Sequence, residues 1–395
     1  MDITVDKLID RSKCTGCEAC KDICPQKAIR MERDEDGFYY PVIQETICIN
    51  CGACNKICPV EKENTFRKID YNDTLAFGGY NKNIAELRSS SSGGFFGSVE
   101  KYVTDNDGIV FGVVYRNNFR RVVYSSSDEV QINEMRGSKY VTAEKNGVYL
   151  KAKEQLKTGR LVLFVGLPCE IAALYAVLKK DYDNLITCEL ICAGPASYNV
   201  HDAQLDWLEN KYKKTTSYYT YRSKKYGWVP YCLKAKNGNH VYDVILDKTL
   251  FGIGFPYAKR LSCFNCWYKD TRRQADFTIG DFWRVNRGAE YYNEEGTSVV
   301  FARTKKAEEI INKLDSFKKV KVPEETALRG NYTQLKTAGE IPQKREEYLR
   351  VLRSQGANLK AYDSFKPKMS LTTKIKKSLP PTVYRFLRRF DNGRY

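Results

Sequence analysis

The 395-residue chain has no run of about 18 apolar residues, the length that a membrane-spanning helix requires, so no such helix is expected. Its start, Met1-Asp2-Ile3-Thr4-Val5-Asp6-Lys7, is charged at three of seven positions. It lacks the apolar segment of roughly 7–15 residues that marks a secretory signal. Histidine is almost missing: His201 and His240 are the only two. No Ser-His-Asp set and no paired-carboxylate arrangement is readable, which sets aside the common hydrolytic designs. His240 falls on a hairpin strand and reads as structural. His201 falls in a helical stretch and is retained as a candidate catalytic acid. No nucleic-acid motif accompanies the basic charge, so DNA and RNA are not expected partners.

Cysteine, by contrast, is plentiful, with 14 in the chain. Many thiols without an export signal point to a reducing cytoplasm and to metal ligation rather than disulfides. Eight of them form two copies of one pattern: Cys14-x-x-Cys17-x-x-Cys20-x-x-x-Cys24-Pro25, and Cys48-x-x-Cys51-x-x-Cys54-x-x-x-Cys58-Pro59, 34 residues later. This is the bacterial ferredoxin run, in which the fourth Cys of each copy ligates the other 4Fe-4S cluster. The expected sets are Cys14, Cys17, Cys20 and Cys58 for the first cluster, and Cys48, Cys51, Cys54 and Cys24 for the second. The competing reading is a pair of zinc knuckles. Zinc seldom needs three evenly stepped thiolates, a fourth before Pro and a twofold repeat.

The ferredoxin run uses only the first sixty or so residues and leaves material for at least one larger domain. Net charge is +17 and unevenly spread. Residues 1–60 hold ten acidic and eight basic side chains, a net of −2, whereas residues 366–395 hold nine basic and one acidic, a net of +8. The expected domains are a two-cluster ferredoxin domain over 1–62, a larger domain over 75–345, and a basic C-terminal tail over 346–395. The polar stretch Glu61 to Asp73 reads as a linker. In the tail, Pro380-Pro381 and the segment from Val383 to Phe390 suit a basic amphipathic segment, either lying on an anionic membrane or simply solvated.

The larger domain begins with strand-like Leu75 to Tyr80, a loop over Leu87 to Gly94 and a helix over Phe95 to Val103. Strands follow over Gly108 to Tyr115 and Arg121 to Tyr124, about an Asn117-Asn118 turn. Beyond residue 145, Leu161 to Val165 reads as a buried parallel strand, followed by a helix through Ile171, Leu174 and Leu178. Leu185 to Ile191 is a strand, Tyr198 to Tyr212 a helix, and Asn237-Gly238 signals a hairpin. Ala275 to Ile279 and Ser298 to Ala302 are strands, the latter before a helix through Ile310, Ile311 and Leu314. The fold class expected is α+β, a two-cluster ferredoxin domain followed by a mixed α/β domain.

Six cysteines lie outside the repeat. Cys169 and Cys192 sit just past the carboxyl ends of two apolar strands, where open α/β sheets build sites, and Cys263-x-x-Cys266 adds two more. These four are candidate ligands of a third cluster, the alternative being unligated core or loop cysteines. Cys188 and Cys232 read as buried small hydrophobes.

The ordered segments Ser90-Ser91-Ser92-Gly93-Gly94, Arg136-Gly137-Ser138-Lys139-Tyr140-Val141, Gly166-Leu167-Pro168-Cys169-Glu170-Ile171-Ala172, Leu190-Ile191-Cys192-Ala193-Gly194, Tyr226-Gly227-Trp228 and Cys263-x-x-Cys266 through Asp281-Phe282-Trp283 resemble the coenzyme F-420 hydrogenase/dehydrogenase beta-subunit family, over roughly residues 75–330. The resemblance implies an iron–sulfur flavoprotein that binds FAD and acts on a small molecule. It implies flavin contacts at Ser92, Gly93, Gly94, Gly137, Ser138, Lys139 and Asp281. Two departures stand near the expected site: Glu170 where the family often has Gln, and Ala193 where it often has His. The chemistry agrees, since clusters pass single electrons and a flavin converts them to hydride transfer. The Ser92-Gly93-Gly94 loop before a helix suits a pyrophosphate, or is a flexible linker. Lys139 suits an anion, or is a surface charge.

The leading expectation is therefore a cytoplasmic flavin-dependent oxidoreductase taking electrons from a ferredoxin or flavodoxin. Its acceptor is open among coenzyme F-420, a pigment, a nucleotide sugar and a lipid-linked glycan precursor, with surface-polysaccharide metabolism as one setting. The alternative is an electron-transfer subunit of a larger redox complex with no substrate of its own.

Overall fold

The 34-residue cysteine repeat folds twice into the same turn and helix. Helix α1 (Ala19–Ile23) is followed by strands β1 (Ile29–Arg33) and β2 (Tyr39–Ile43), and then by helix α2 (Ala53–Ile57), which begins 34 residues after α1. Gly16 and Glu18 take positive φ, and so do their counterparts Asn50 and Gly52. Each copy thus makes two left-handed turns between its cysteines. Glu18 adopts this conformation without glycine's freedom, and its carboxylate is held by the Lys145 amide at 3.2 Å and by Lys21 at 3.2 Å. β1 and β2 pair antiparallel, Ile29 opposite Ile43, over a small core of Ile9, Cys14, Phe38 and Tyr40. This computed structural model describes residues 9–60, 74–269, 273–367, 370–376 and 378–388. The linker expected over 61–73 lies outside the described residues.

The larger domain runs β3 (Leu75–Asn81), α3 (Ile84–Ser89), α4 (Phe95–Thr104), β4 (Ile109–Arg116), β5 (Arg121–Ser126), α5 (Val148–Lys157), β6 (Val162–Gly166), α6 (Pro168–Leu178), β7 (Leu185–Leu190) and α7 (Tyr198–Tyr212). It continues through β8 (Thr216–Ser223), β9 (Cys232–Asn237), β10 (His240–Ile245), α8 (Leu250–Gly254), α9 (Leu261–Phe264), β11 (Phe277–Asp281), β12 (Ser298–Ala302), α10 (Lys305–Lys313) and β13 (Phe317–Val322). Helices α11 (Glu324–Arg329), α12 (Tyr332–Lys336) and α13 (Arg345–Gln355) follow.

Eight strands form one mixed sheet in the order β13-β3-β12-β11-β7-β6-β4-β5, and β10-β9-β8 form a separate antiparallel sheet. The centre, β11-β7-β6-β4, is parallel, and the outer strands pair antiparallel. Alternation along the strands splits the core in two: Val162 and Phe164 point into one apolar cluster and Leu163 into the other. A sheet buried on both faces explains why β6 reads as an uninterrupted apolar run.

Two expectations are corrected by the fold. The loop expected over Leu87 to Gly94 begins inside helix α3, because the Asn83 side chain caps Ala85 and Glu86 and nucleates a turn ahead of the serines. The basic tail expected from residue 346 starts later: Tyr348, Leu349, Leu352, Tyr362 and Phe365 are buried in the main core. That stretch has charges of both signs on its outer face and apolar residues at helical spacing on its inner one, and the charge masks the periodicity.

Candidate functional site

Thiols from both copies of the repeat gather at one place. Cys14, Cys17, Cys20 and Cys58, together with Cys54 of the second group, line one small cavity with Ala19, Met31, Pro41 and Val60. Cys17 lies within electrostatic reach of Cys58 and Cys14. Burial pushes its thiol up to about 12, so near neutrality it ionises only against a cation such as iron. In the second group, Cys54 is within reach of Cys24 and Cys48. Backbone amides already point at sulfur, Ala28 N–H on Cys24 Sγ at 3.3 Å. Among the described residues no three or more His, Cys, Asp or Glu side chains converge at the spacing of one metal ion, and the first group surrounds a space instead. Thiols around a cavity in the first group, and a backbone N–H on sulfur in the second, are the donors that suit a cubane.

The other four cysteines also gather. Cys169 opens α6, Cys192 follows β7, and Cys263 and Cys266 lie on and after α9. Cys169 is within electrostatic reach of Cys192 and Cys266, and Cys263 of the same two. The Gly194 amide donates to Cys192 Sγ at 3.2 Å, and burial raises the Cys263 thiol to about 12. Cys188 and Cys232 are buried in strands, as expected of small hydrophobes.

The ferredoxin region is fastened to the larger domain at this point. The Tyr149 hydroxyl donates to the Cys17 carbonyl at 2.9 Å, and Lys145 Nζ to the Gly16 carbonyl at 3.3 Å. Lys145 is itself paired with Glu170 at 3.0 Å, both nearly fully buried. Glu170 also accepts from Tyr124 (2.7 Å) and from the Leu167 amide (2.8 Å), capping α6. Tyr268 lies within reach of two thiols of the first group, Cys17 and Cys58, and two of the other, Cys169 and Cys266. Sequence reasoning found the cysteines but not Lys145, Tyr149, Arg260 or Tyr268, whose roles exist only where distant segments meet.

Segments around residues 115–119, 133–139 and 218–224 line a cavity of about 750 Å³. Its lining is strongly basic, with Arg88, Arg116, Arg136, Lys139, Arg222, Lys224 and Lys234 against the single acid Glu134, and Tyr115, Phe119, Tyr218 and Tyr219 supply aromatic wall. Lys139 is no ordinary surface charge: its ammonium donates to the carbonyls of Glu134, Met135, Arg136 and Gly137 at 2.9–3.3 Å. Burial pulls its pKa down to about 7, and burial with the neighbouring Arg222 does the same to Lys224.

Of the expected flavin contacts, Gly137, Ser138 and Lys139 line this cavity. Ser138 bonds through its amide to Ser91 Oγ at 2.7 Å. Asp281 stands behind the cavity wall, holding Arg222 through two bonds of 2.9 and 3.0 Å and accepting from Trp228 Nε1 at 2.7 Å. Arg222 also reaches Tyr140 Oη at 3.0 Å and the Ser91 carbonyl at 2.5 Å. Gly93 is pressed onto the domain's own backbone: a Cβ there would lie 2.3 Å from Ser298 N and 2.5 Å from Gly79 O. Ser92 bonds to the Thr297 carbonyl at 3.0 Å, and Gly94 opens α4 with φ +80°. His201, the candidate acid, is buried between Tyr221 Oη (2.5 Å) and the Phe119 carbonyl (2.7 Å), and burial lowers its pKa. Both ring nitrogens are committed to structure.

Residues 159–327 match the family formed by the C terminus of the coenzyme F420 hydrogenase/dehydrogenase beta subunit, and residues 13–62 match the 4Fe-4S dicluster domain. The chain joins a 4Fe-4S dicluster domain to a domain of the F420 hydrogenase/dehydrogenase beta-subunit family. All eight cysteines of the repeat fall in the 13–62 match, and Cys169, Cys192, Cys263, Cys266 and Asp281 in the 159–327 match.

The dicluster match makes this an iron–sulfur, electron-transferring protein. A 38-residue stretch is 42% identical to an uncharacterized ferredoxin of Methanocaldococcus jannaschii, covering 10% of this chain and 49% of that protein. The match thus spans about half of that relative's length. A chain of the F420-reducing NiFe hydrogenase complex from Methanosarcina barkeri aligns at TM-score 0.44 and 16% identity, over 75% of this chain and 92% of that one. So remote a likeness adds no weight to the reading. No helix among the described residues is long and apolar enough to cross a membrane.

Proposed function

We propose that the chain is an iron–sulfur flavoprotein oxidoreductase. Its dicluster region receives electrons, and its beta-subunit-like domain delivers them to a small, anionic acceptor. The observation that carries this reading is the seam. Tyr268 lies within reach of Cys17 and Cys58 of the first group and of Cys169 and Cys266 of the other, in a region where Gly16 and Cys17 are bonded directly to the larger domain.

Cys14, Cys17, Cys20 and Cys58 would hold one cluster, and Cys24, Cys48, Cys51 and Cys54 another. Cys169, Cys192, Cys263 and Cys266 would hold a third. The basic, aromatic-walled cavity suits FAD: Arg88, Arg136, Arg222 and Lys224 face it for a pyrophosphate, and Tyr115 and Tyr219 for a planar ring. A flavin bound there supplies conversion between single electrons and a hydride. The chain's own part is to fasten the wall through Arg222 and Asp281 and to present cationic side chains where an anion binds.

The test is anaerobic purification with iron and flavin counted per chain. About twelve irons with one FAD is the expected result, and about eight would remove the third cluster, since each cubane holds four. Joint Cys263→Ser and Cys266→Ser replacement should lower the count from about twelve to about eight. Full metallation without flavin would leave the second reading, an electron-transfer subunit without its own substrate. The related family, named for a hydrogenase/dehydrogenase subunit, favours that reading if flavin is missing.

The tail supports peripheral contact with an anionic membrane. Helices α14 (Leu371–Lys376) and α15 (Pro381–Arg388) follow the core. In α15, Arg385 bonds Glu295 and the Lys224 carbonyl, while Val383, Phe386 and Leu387 form an exposed stripe at helical spacing on the other side. Pelleting with anionic but not zwitterionic vesicles tests it.

A further inference from the structure

The two cysteine groups are equivalent in sequence and unequal in the fold. Around the first, Cys14 is buried, the Gly16 and Cys17 carbonyls are bonded to Lys145 and Tyr149, and Cys17 and Cys20 pack against the main core. The second group faces outward: Cys51 is exposed, and beside it Ile47 and Ile49 are 45% and 60% exposed. These two exposed aliphatic side chains flank Cys48 on either side, in the loop that also carries Cys51.

The charge around them is defined by sequence connectivity. Lys27 follows the Cys24-Pro25 pair and Lys56 lies between Cys54 and Cys58; both are exposed, and Glu45 is the exposed acid nearest along the chain to Ile47. Electron tunnelling weakens exponentially with distance, so a protein donor must press against the redox group that lies nearest the surface.

We infer that the face carrying Ile47, Ile49 and Cys51 is the docking surface for an external one-electron carrier protein with an apolar centre and an acidic rim, and that electrons enter at the second cysteine group and leave through the first. The inference rests on the proposed cluster ligation and adds the docking face and the cluster at which electrons enter. Ile47 and Ile49 supply the dry centre of a transient interface, and Lys27 and Lys56 steer the acidic partner. The reduced carrier gives up one electron and is oxidised, and the outer cluster site takes that electron and is reduced. No bond forms or breaks and no proton moves.

The test compares two electron donors on the full-length, iron-loaded protein: a reduced acidic bacterial ferredoxin, which must dock, and dithionite, which need not. Iron content and cluster absorbance are measured in each variant. Joint Ile47→Glu and Ile49→Glu replacement should slow bleaching of the cluster absorbance by ferredoxin about tenfold or more while dithionite reduction stays within about twofold. Joint Lys27→Gln and Lys56→Gln should slow the ferredoxin rate and flatten its dependence on salt. If the glutamates cost iron, Ile47→Ser with Ile49→Ser makes the same comparison in a loaded protein. Unchanged ferredoxin rates in fully loaded variants overturn the dock. Fewer than about eight irons in the unmodified chain would instead overturn the ligation on which it rests.

Discussion

Arg260 Nη2 donates to the Tyr39 carbonyl at 2.8 Å, tying the start of α9 to the ferredoxin hairpin. The guanidinium lies 4.5 Å over the Tyr40 ring, and its Nε and Nη1 have no hydrogen-bond partner among the described residues. A Cβ on Gly16 would sit 2.8 Å from Nη2, so this close approach depends on glycine. Its charge also acts on Cys263. One buried cation therefore stands between the first and third cysteine groups. Adding an electron to a cluster adds negative charge, which a nearby buried cation favours.

Replacing Arg260 with Met should make the cluster nearest Gly16 harder to reduce, and Arg260→Lys should restore part of the shift. A tenfold change in the reduced-to-oxidised ratio corresponds to about 59 mV for one electron. Redox titration followed by electron paramagnetic resonance measures it. Equal midpoints in the Met variant and the parent, both with full iron, would show that Arg260 only packs.

The buried Lys145–Glu170 pair predicts strong coupling. Glu170→Gln strands the Lys145 charge at the seam, and Lys145→Met strands that of Glu170, each at a cost of about 3–5 kcal/mol. The double variant should be less destabilised than the sum, with a coupling of about 0.5–3 kcal/mol in denaturant unfolding. Additive losses would mean that the two side chains act separately.

Lys139 gives a pH signature. Its pKa near 7 in the folded chain lies below the ordinary lysine value, so between about 7 and 10.4 the unfolded chain binds more protons. Stability relative to a Lys139→Met variant should therefore rise with pH across that window, by up to about 1.4 kcal/mol per pH unit. Below pH 7 both states are protonated and the difference is flat. Thermal or denaturant unfolding at several pH values measures the slope. A difference that stays flat through the window would place the ammonium in a water-like setting.

Two glycines should respond differently to alanine. Gly93→Ala forces a methyl against the backbone at Ser298 and Gly79, which cannot rotate away, and should cost about 1–3 kcal/mol or more. Gly137 has φ +80° but open space around it, so Gly137→Ala should cost only backbone strain of about 1–2 kcal/mol. Equal melting temperatures for the two variants would contradict the packing assigned to Gly93.

Much of the architecture was legible because it is written in local periodicity. The apolar run of β6, the helix over Tyr198–Tyr212 and the strand over Ser298–Ala302 stand where alternation and spacing place them. Strand β8 was not legible: Thr216–Ser223 carries Tyr on both faces, and its pairing with β9 shifts register twice. Strand β13, with three lysines in six residues, hides its pairing with β3 behind surface charge. Helix α3 was masked by the serines that end it.

The chain's covalent pattern alone predicts which thiols share a cluster, because a three-residue step and a Pro after the fourth Cys leave little other use for them. It did not decide which of two matching groups faces inward. Lys145, Tyr149 and Arg260 decide that, from positions more than a hundred residues from the cysteines they serve. The same holds for Arg222, which reaches Asp281 and Ser91 across 59 and 131 residues. Ligand spacing is a local property that chain geometry enforces. Burial, cationic surroundings and the way out for an electron are properties of neighbours, and only the folded chain has those.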